Sequence, residues 1–259
     1  MIPYVGGKST LANWIISNFP DNYNKIHYCE IFGGGGWVLF KKEPSYIETY
    51  NDLNNNLVTL FTIIRDNFAE FQQRCDWTLH SRTTFEDARD KLKDDKFLND
   101  IERALNYAVS KIQSFGGKGD CFGYSLTTEK IKRGQWAPFV RRLAIINARL
   151  KYVQIECLDF EKCIEKYDRP GTLFYLDPPY IDTEDYYNKH GVVFQPSDHK
   201  RLAGLLKQIQ GKFCLSYYDN PLARKLYKKF RIIEKTSIKS LCGGSRKRPK
   251  SHELLIMNY

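Results

Sequence analysis

From residue 153 onward the chain alternates short apolar runs with amphipathic stretches, and this alternation limits the possible folds more than any other feature. Residues 153–157, 172–176 (TLFYL) and 212–217 (KFCLSY) read as strands, and 160–167, 197–210 and 221–230 read as helices between and after them. Strands separated by helices imply a mainly parallel sheet with helices on both faces. Two final strands follow at 231–237 and 253–258, and the N-terminal part adds two more at 25–31 and 45–50, with a helix-like stretch at 37–42 between them. From 54 to 71, Leu57, Leu60, Phe61, Ile64 and Phe68 recur at helical spacing. The fold class expected is therefore α/β.

The middle of the chain breaks this rhythm. Residues 75–150 are rich in charge, with helical stretches at 85–97, 98–112 and 141–150. Between 114 and 138 lies a glycine-rich, basic and aromatic loop, SFGGKGDCFGYSLTTEKIKRGQWAP, and a loop this long inside a compact domain is usually functional or disordered. The 259 residues thus divide into a catalytic part from both ends, 1–60 and 151–259, and an inserted, mainly helical part, 61–150.

Composition narrows the partners. The formal net charge of +10 is that of a chain with a polyanionic partner, of which nucleic acid is the commonest. Seven scattered cysteines, none spaced C-x-x-C, and five histidines without a ligand pair indicate neither a disulfide framework nor a metal site. No apolar run approaches the roughly 20 residues that span a bilayer. The N-terminus lacks a secretory pattern, so a cytoplasmic protein with no membrane association is expected, and no obligate protein partner is evident.

Asp177-Pro178-Pro179-Tyr180 carries the chemistry. It follows the buried-looking strand 172–176, and so projects from the carboxyl edge of the sheet, where ligands bind in open α/β folds. Two successive prolines fix the backbone and remove two N–H donors. What remains are acceptors, the Asp177 carboxylate and the Pro178 carbonyl. Aimed at the two hydrogens of an amine on a flat heterocycle, they free the nitrogen lone pair for in-line attack on a methyl group; positioning and electrostatics do the work. Tyr180 offers a face for a base taken out of a duplex. The glycine run Gly33-Gly34-Gly35-Gly36 lies where a first strand turns into a helix, and lets the backbone pass close to a ligand. Asp52 closes the next strand, sixteen residues after Gly36, a place where a carboxylate commonly binds ribose hydroxyls. Together they point to a nucleoside-type cofactor, without separating a dinucleotide from S-adenosylmethionine.

These motifs, in this order, resemble those of the Dam-type (D12 class, alpha-group) DNA adenine N6-methyltransferases. Tyr4-Val5-Gly6-Gly7-Lys8 resembles that family's N-terminal cofactor motif, and Phe32-Gly33-Gly34-Gly35-Gly36 is similar to its F-x-G-x-G. Asn51-Asp52-Leu53-Asn54 resembles its D-[IL]-N, Asp159-Phe160 its D-F pair, and Asp177–Tyr180 its catalytic tetrapeptide. Gly243-Gly244-Ser245-Arg246 and Glu253-Leu254-Leu255 resemble a closing loop and final strand. The resemblance implies a Rossmann-like S-adenosylmethionine-dependent methyltransferase fold with a target-recognition insertion. It assigns catalysis to Asp177, Pro178, Pro179 and Tyr180, and the cofactor to Tyr4, Gly6, Gly7, Lys8, Phe32, Gly34, Gly36, Asp52, Asp159, Phe160 and Asp177. The middle stretch Gln113-Ser114-Phe115-Gly116-Gly117-Lys118-Gly119 departs from the family's N-R-x-G-x-N-G and resembles a branch common in phages and mobile elements, so no target sequence carries over.

For DNA, expected to be double-stranded, the candidates are Lys118, Lys130, Lys132, Arg133 and Trp136, which mix cations with an aromatic ring. Arg246, Lys247 and Arg248 are a second set. Cytosine N4, an RNA substrate and an inactive DNA-binding relative stay open as alternatives; Asp177 opening the tetrapeptide favours adenine by resemblance only, and an intact Asp177 and Lys8 favour an enzyme.

Overall fold

A computed structural model describes residues 2, 4, 6–124, 135–182, 194–238 and 250–259. All seven expected strands form: β1 (His27–Glu30), β2 (Ile47–Asn51), β3 (Val153–Glu156), β4 (Thr172–Leu176), β5 (Lys212–Tyr218), β6 (Arg231–Ile238) and β7 (Lys250–Met257). Their order in the sheet is β3-β2-β1-β4-β5-β7-β6. β1 runs parallel to β2 and β4, β4 runs parallel to β5, and β7 is inserted antiparallel to β5 and β6. Three parallel strands, β1, β2 and β4, therefore end on the same edge, with Glu30 level with Tyr50 and Tyr175.

The chain forms two compact units. The sheet unit comprises Asn13–Gly33, Glu43–Asn54 and Glu156–Tyr259. β4 is buried along its whole length because it lies in the centre of a sheet covered on both faces. Its Phe174 and Leu176 join Cys163 and Ile164 of α8 (Phe160–Tyr167), Leu202 and Leu206 of α9 (Pro196–Leu206), and Leu254 and Ile256 of β7 in one apolar core. Each such side chain contributes about 1.5–3 kcal/mol on burial.

The helical unit comprises Met1–Ala12, Gly34–Lys42 and Asn55–Ile155. It holds α2 (Trp37–Lys41), α3 (Asn55–Asp66), α4 (Phe68–Asp76), α5 (Arg82–Asp94), α6 (Asp100–Ile112) and α7 (Trp136–Leu150), α1 (Ala12–Ile16) being the short helix at which the chain first passes to the sheet unit. Ser81 caps α5 and Asn99 caps α6, each side chain accepting a backbone N–H of the first turn. The apolar stripe of α3, with Leu57, Leu60, Phe61 and Ile64 buried, packs on α6 and α7.

Three details differ from the sequence reading. The pattern read as one helix over 54–71 breaks at Asn67 into α3 and α4. The helix expected from 141 starts at Trp136; Pro138 is accommodated in its first turn, where an N–H has no partner within the helix. The helical unit also extends beyond 61–150. Segment Gly34–Lys42 belongs to it because Phe40 meets Phe61 edge-on at 5.8 Å and the Arg149 guanidinium donates to the Leu39 carbonyl at 2.8 Å. Among the described residues no helix is long and apolar enough to cross a membrane.

Candidate active site

In the sheet unit, the expected residues converge on the edge where β1, β2 and β4 end. Beyond β1, the Ile31 N–H donates to the Tyr175 carbonyl at 3.0 Å and the Gly33 N–H to the Asn51 carbonyl at 2.9 Å. A Cβ on Gly33 would sit 2.0 Å from the Tyr50 ring, so only glycine lets the chain turn here. Phe32 packs 5.6 Å from Phe160 and 5.8 Å from Phe194, and the last two lie 5.9 Å apart, forming a wall of three rings.

Asp52, immediately past β2, is 7% exposed, and its Oδ1 accepts the Asn54 N–H at 2.8 Å. Its neighbour Asn51 is a latch. The Asn51 amide donates to the Ile31 carbonyl at 2.9 Å and the Leu158 carbonyl at 3.0 Å, and accepts the Leu158 N–H at 2.9 Å. One fully buried side chain thereby ties the turns that carry Phe32, Asp52 and Asp159. Asp159 caps α8 through the Glu161 N–H (3.0 Å) and accepts from Arg201 at 2.9 Å. The Arg201 guanidinium lies 4.2 Å from the centre of the Phe160 ring, a cation–π contact that holds the ring in place.

Asp177 leaves the end of β4 half-buried, with Pro178 and Pro179 buried behind it. Tyr180 is 6% exposed rather than an open platform. Its ring stands edge-on to Tyr218 at 4.4 Å, and its hydroxyl donates to Glu253 Oε2 at 3.0 Å. Burial first, and then the charges of Asp177 and Glu253, push the Tyr180 phenol well above its ordinary range. It stays protonated and a donor.

In the helical unit the remaining cofactor candidates come together. Gly6 (φ 77°) turns the chain so that the Gly7 N–H reaches the Tyr4 carbonyl at 3.0 Å. The Lys8 ammonium, 7% exposed overall, donates to the Gly6 carbonyl at 3.1 Å. Against this turn lies the glycine segment. A Cβ on Gly34 would stand 3.1 Å from the Tyr4 ring, and one on Gly35 would stand 2.7 Å from the Ile2 carbonyl oxygen. Gly36 (φ 65°) opens α2.

The residues proposed for DNA fare differently. Trp136 is a core residue: it is 6% exposed, its indole N–H donates to the Cys75 carbonyl at 3.2 Å, and its ring packs on Phe139. The expectation that it is the aromatic member of a DNA-facing loop is corrected by its burial in the first turn of α7. Lys118 is half-buried on a knuckle, residues 113–123, that folds back from the end of α6. There the Gly123 N–H donates to the Gln113 carbonyl at 2.7 Å, and the Phe115 N–H to the Cys121 carbonyl at 2.9 Å. Ser114 Oγ accepts the Gly119 N–H at 2.9 Å, and the buried Lys111 ammonium donates to the Lys118 carbonyl at 3.1 Å. Burial brings the Lys111 pKa down to about 8. Phe115 stands 64% exposed on the knuckle. Lys130, Lys132, Arg133, Arg246, Lys247 and Arg248, with the expected closing loop 243–246, lie outside the described residues.

Asn51, Glu253, Phe194, Arg201, Lys111 and Phe115 lie against or beside the candidate residues and were given no role in the sequence reading. Asn51, Glu253 and Phe115 lay inside stretches already recognised, Asn51 as the last residue of β2 and Glu253 as a polar residue within β7. The donor set fits S-adenosylmethionine. Within the sheet unit, the three phenylalanine rings are of a kind that suits a purine, and the Asp52 carboxylate is of a kind that suits ribose hydroxyls.

The chain is similar to several known proteins. Residues 4–241 match the model of the D12 class N6 adenine-specific DNA methyltransferases. The chain is 25% identical to the type II methyltransferase M.MjaIII of Methanocaldococcus jannaschii, over 100% of this chain and 98% of the relative. It is 24% identical to the DNA adenine methylase of Haemophilus influenzae, over 99% of this chain and 92% of the relative. It is also 24% identical to the type II methyltransferase M.FokI of Planomicrobium okeanokoites, over 99% of this chain and 42% of that longer protein. A solved S-adenosylmethionine-dependent methyltransferase from Agrobacterium tumefaciens aligns with TM-score 0.41 at 14% identity, over 96% of this chain and 61% of that one.

Proposed function

The chain belongs to the D12 class of N6 adenine-specific DNA methyltransferases, and from that premise we propose that the amine is methylated at Asp177–Tyr180, beyond the end of β4. The enzyme methylates adenine in DNA, with S-adenosylmethionine as the methyl donor. The observation that carries the assignment is the convergence of Phe32, Asp52, Asp159 and Asp177 on one carboxyl edge, where the Asn51 latch ties the turns of the first three.

When bound, S-adenosylmethionine supplies an electrophilic methyl group. Phe32 and Phe160 would form one wall against its adenine, Asp52 would accept from its ribose, and Asp159 would border the same pocket. By the family resemblance, Tyr4, Gly6, Gly7, Lys8, Gly34 and Gly36 also contact it. At the substrate, the Asp177 carboxylate and the Pro178 carbonyl accept the two N6 hydrogens of the target adenine. The nitrogen lone pair is then withdrawn from the ring and directed outward, and the proton it sheds on methylation leaves toward Asp177. Preorganised acceptors need no rearrangement at the moment of reaction. Pro179 keeps the Pro178 carbonyl fixed, and Tyr180 walls the amine site.

The helical unit is the target-recognition part, with Lys118 and the exposed Phe115 on its DNA-facing knuckle. The substrate is double-stranded DNA, met in the cytoplasm of a bacterial or phage-infected cell, and the net charge of +10 supports that partner. The test is labelled methyl transfer to DNA free of N6-methyladenine. Asp177→Ala should lower the rate by about 10²–10³, the cost of removing one preorganised group, while DNA binding persists. A wild-type protein that labels no DNA, or an Asp177→Ala protein as fast as wild type, overturns the assignment.

A further inference from the structure

Glu253 lies on β7, far in sequence from the tetrapeptide, yet it is only 5% exposed. Burying a carboxylate is costly unless it is well partnered. Its Oε2 accepts the Tyr180 hydroxyl at 3.0 Å, across 73 residues of sequence. The rest of the Tyr180 ring is held by the strand that pairs with β7. Tyr218, directly opposite Glu253 in the β5–β7 ladder, meets the ring edge-on at 4.4 Å. Tyr217, opposite Leu254, lies 5.6 Å from it. Both ends of Tyr180 are thus anchored on one antiparallel strand pair.

The anchor reaches the reacting acceptors through a stiff link. Only Pro178 and Pro179 separate Tyr180 from Asp177, and each has its φ fixed by its ring. Few soft dihedrals remain between them, so the setting of Tyr180 fixes that of the Pro178 carbonyl and Asp177. A phenylalanine facing a leucine would fill the same space without burying a charge. We infer that Glu253 is a positioning residue for methyl transfer, holding Tyr180 by its hydroxyl so that the tetrapeptide keeps its acceptors aimed at the target amine. The inference rests on Asp177–Tyr180 being the methyl-transfer site.

A double-mutant cycle tests it, with labelled methyl transfer to N6-methyladenine-free DNA and calorimetric S-adenosylmethionine binding as readouts. Glu253→Leu should lower kcat about tenfold or more, as small misplacements of reacting groups do, with cofactor affinity within about twofold of wild type. Glu253→Gln keeps an acceptor and should restore kcat to within about threefold of wild type. Tyr180→Phe removes the same bond from the other side and should match Glu253→Leu. In the Tyr180→Phe background, Glu253→Leu should cost less than about twofold more. Equal losses with and without the hydroxyl, a full rate in Tyr180→Phe, or a Glu253→Gln protein as slow as Glu253→Leu would each overturn the inference. Should Glu253→Leu fail to fold, Tyr180→Phe and Glu253→Gln decide it between them. Asp177→Ala runs alongside: full activity there indicts the site assignment itself, whereas a slow Asp177→Ala with a fast Tyr180→Phe indicts only the role of Glu253.

Discussion

The carboxyl edge of the sheet and the knuckle at the end of α6 are both glycine-bearing turns, but they are secured in different ways. The turns of the edge are tied together by neutral hydrogen bonds between segments far apart in sequence. The Asn51 amide reaches Ile31 and Leu158, and the Gly33 N–H reaches the Asn51 carbonyl. The knuckle is held by Ser114 and by a buried ammonium, Lys111, with Gly116, Gly117 and Gly119 all at positive φ. The three turns of the edge are thus tied by a neutral amide, with the Arg201–Asp159 pair and Glu253 adding charged contacts around it. The knuckle, proposed above to face DNA, is clamped by a group that itself costs stability.

Asn51→Asp should break the edge most. It puts a carboxylate before two carbonyl oxygens and removes both donors, and should weaken S-adenosylmethionine binding by about tenfold to thirtyfold, roughly 1.4–2 kcal/mol. Calorimetry checks this, and unchanged affinity would mean that the latch does not shape the cofactor pocket.

Lys111→Met should act in the opposite sense on stability. The Lys111 pKa is brought down to about 8, so the folded state binds fewer protons than the unfolded chain between about pH 8 and the usual lysine value. Stability from this group is present above the unfolded pKa and is lost as pH falls through about 8. At pH 7 the buried charge is a net cost. The variant should therefore gain about 1–2 kcal/mol at pH 7, after losing the bond to the Lys118 carbonyl, and the gain should fade toward pH 10. Melting curves across that range test it, with weaker DNA binding expected because the knuckle loosens.

The smallest effect belongs to Lys118→Ala. Losing one phosphate contact should weaken DNA binding by about threefold and lower the slope of log affinity against log salt by about one. An unchanged salt slope would remove Lys118 from the DNA surface.

Much of the edge was legible beforehand. The apolar strand runs, the glycine run, Asp52 and the tetrapeptide are local patterns, and each expected strand formed, β7 starting earlier, at Lys250. The tetrapeptide also announced its own rigidity, since two prolines act on the backbone whatever surrounds them. The knuckle was legible only as a stretch of unusual composition. Its folding depends on Lys111 and Ser114, ordinary residues in a helical pattern until the turn closes over them. Trp136 was misread for a similar reason. A tryptophan in a basic loop looks like a stacking face, and only the start of α7 shows its indole turned inward to Cys75.

The sequence by itself determined the class of fold and the alignment of chemistry along it, because hydrophobic period, proline and glycine act over a few residues. Tertiary structure alone decided what those residues lean on. It brought Glu253 to Tyr180 across 73 residues, made Asn51 the tie among three turns, and turned Trp136 from a surface ring into core. Buried polar groups must find partners wherever packing leaves them, and those partners come from distant segments that no local pattern records.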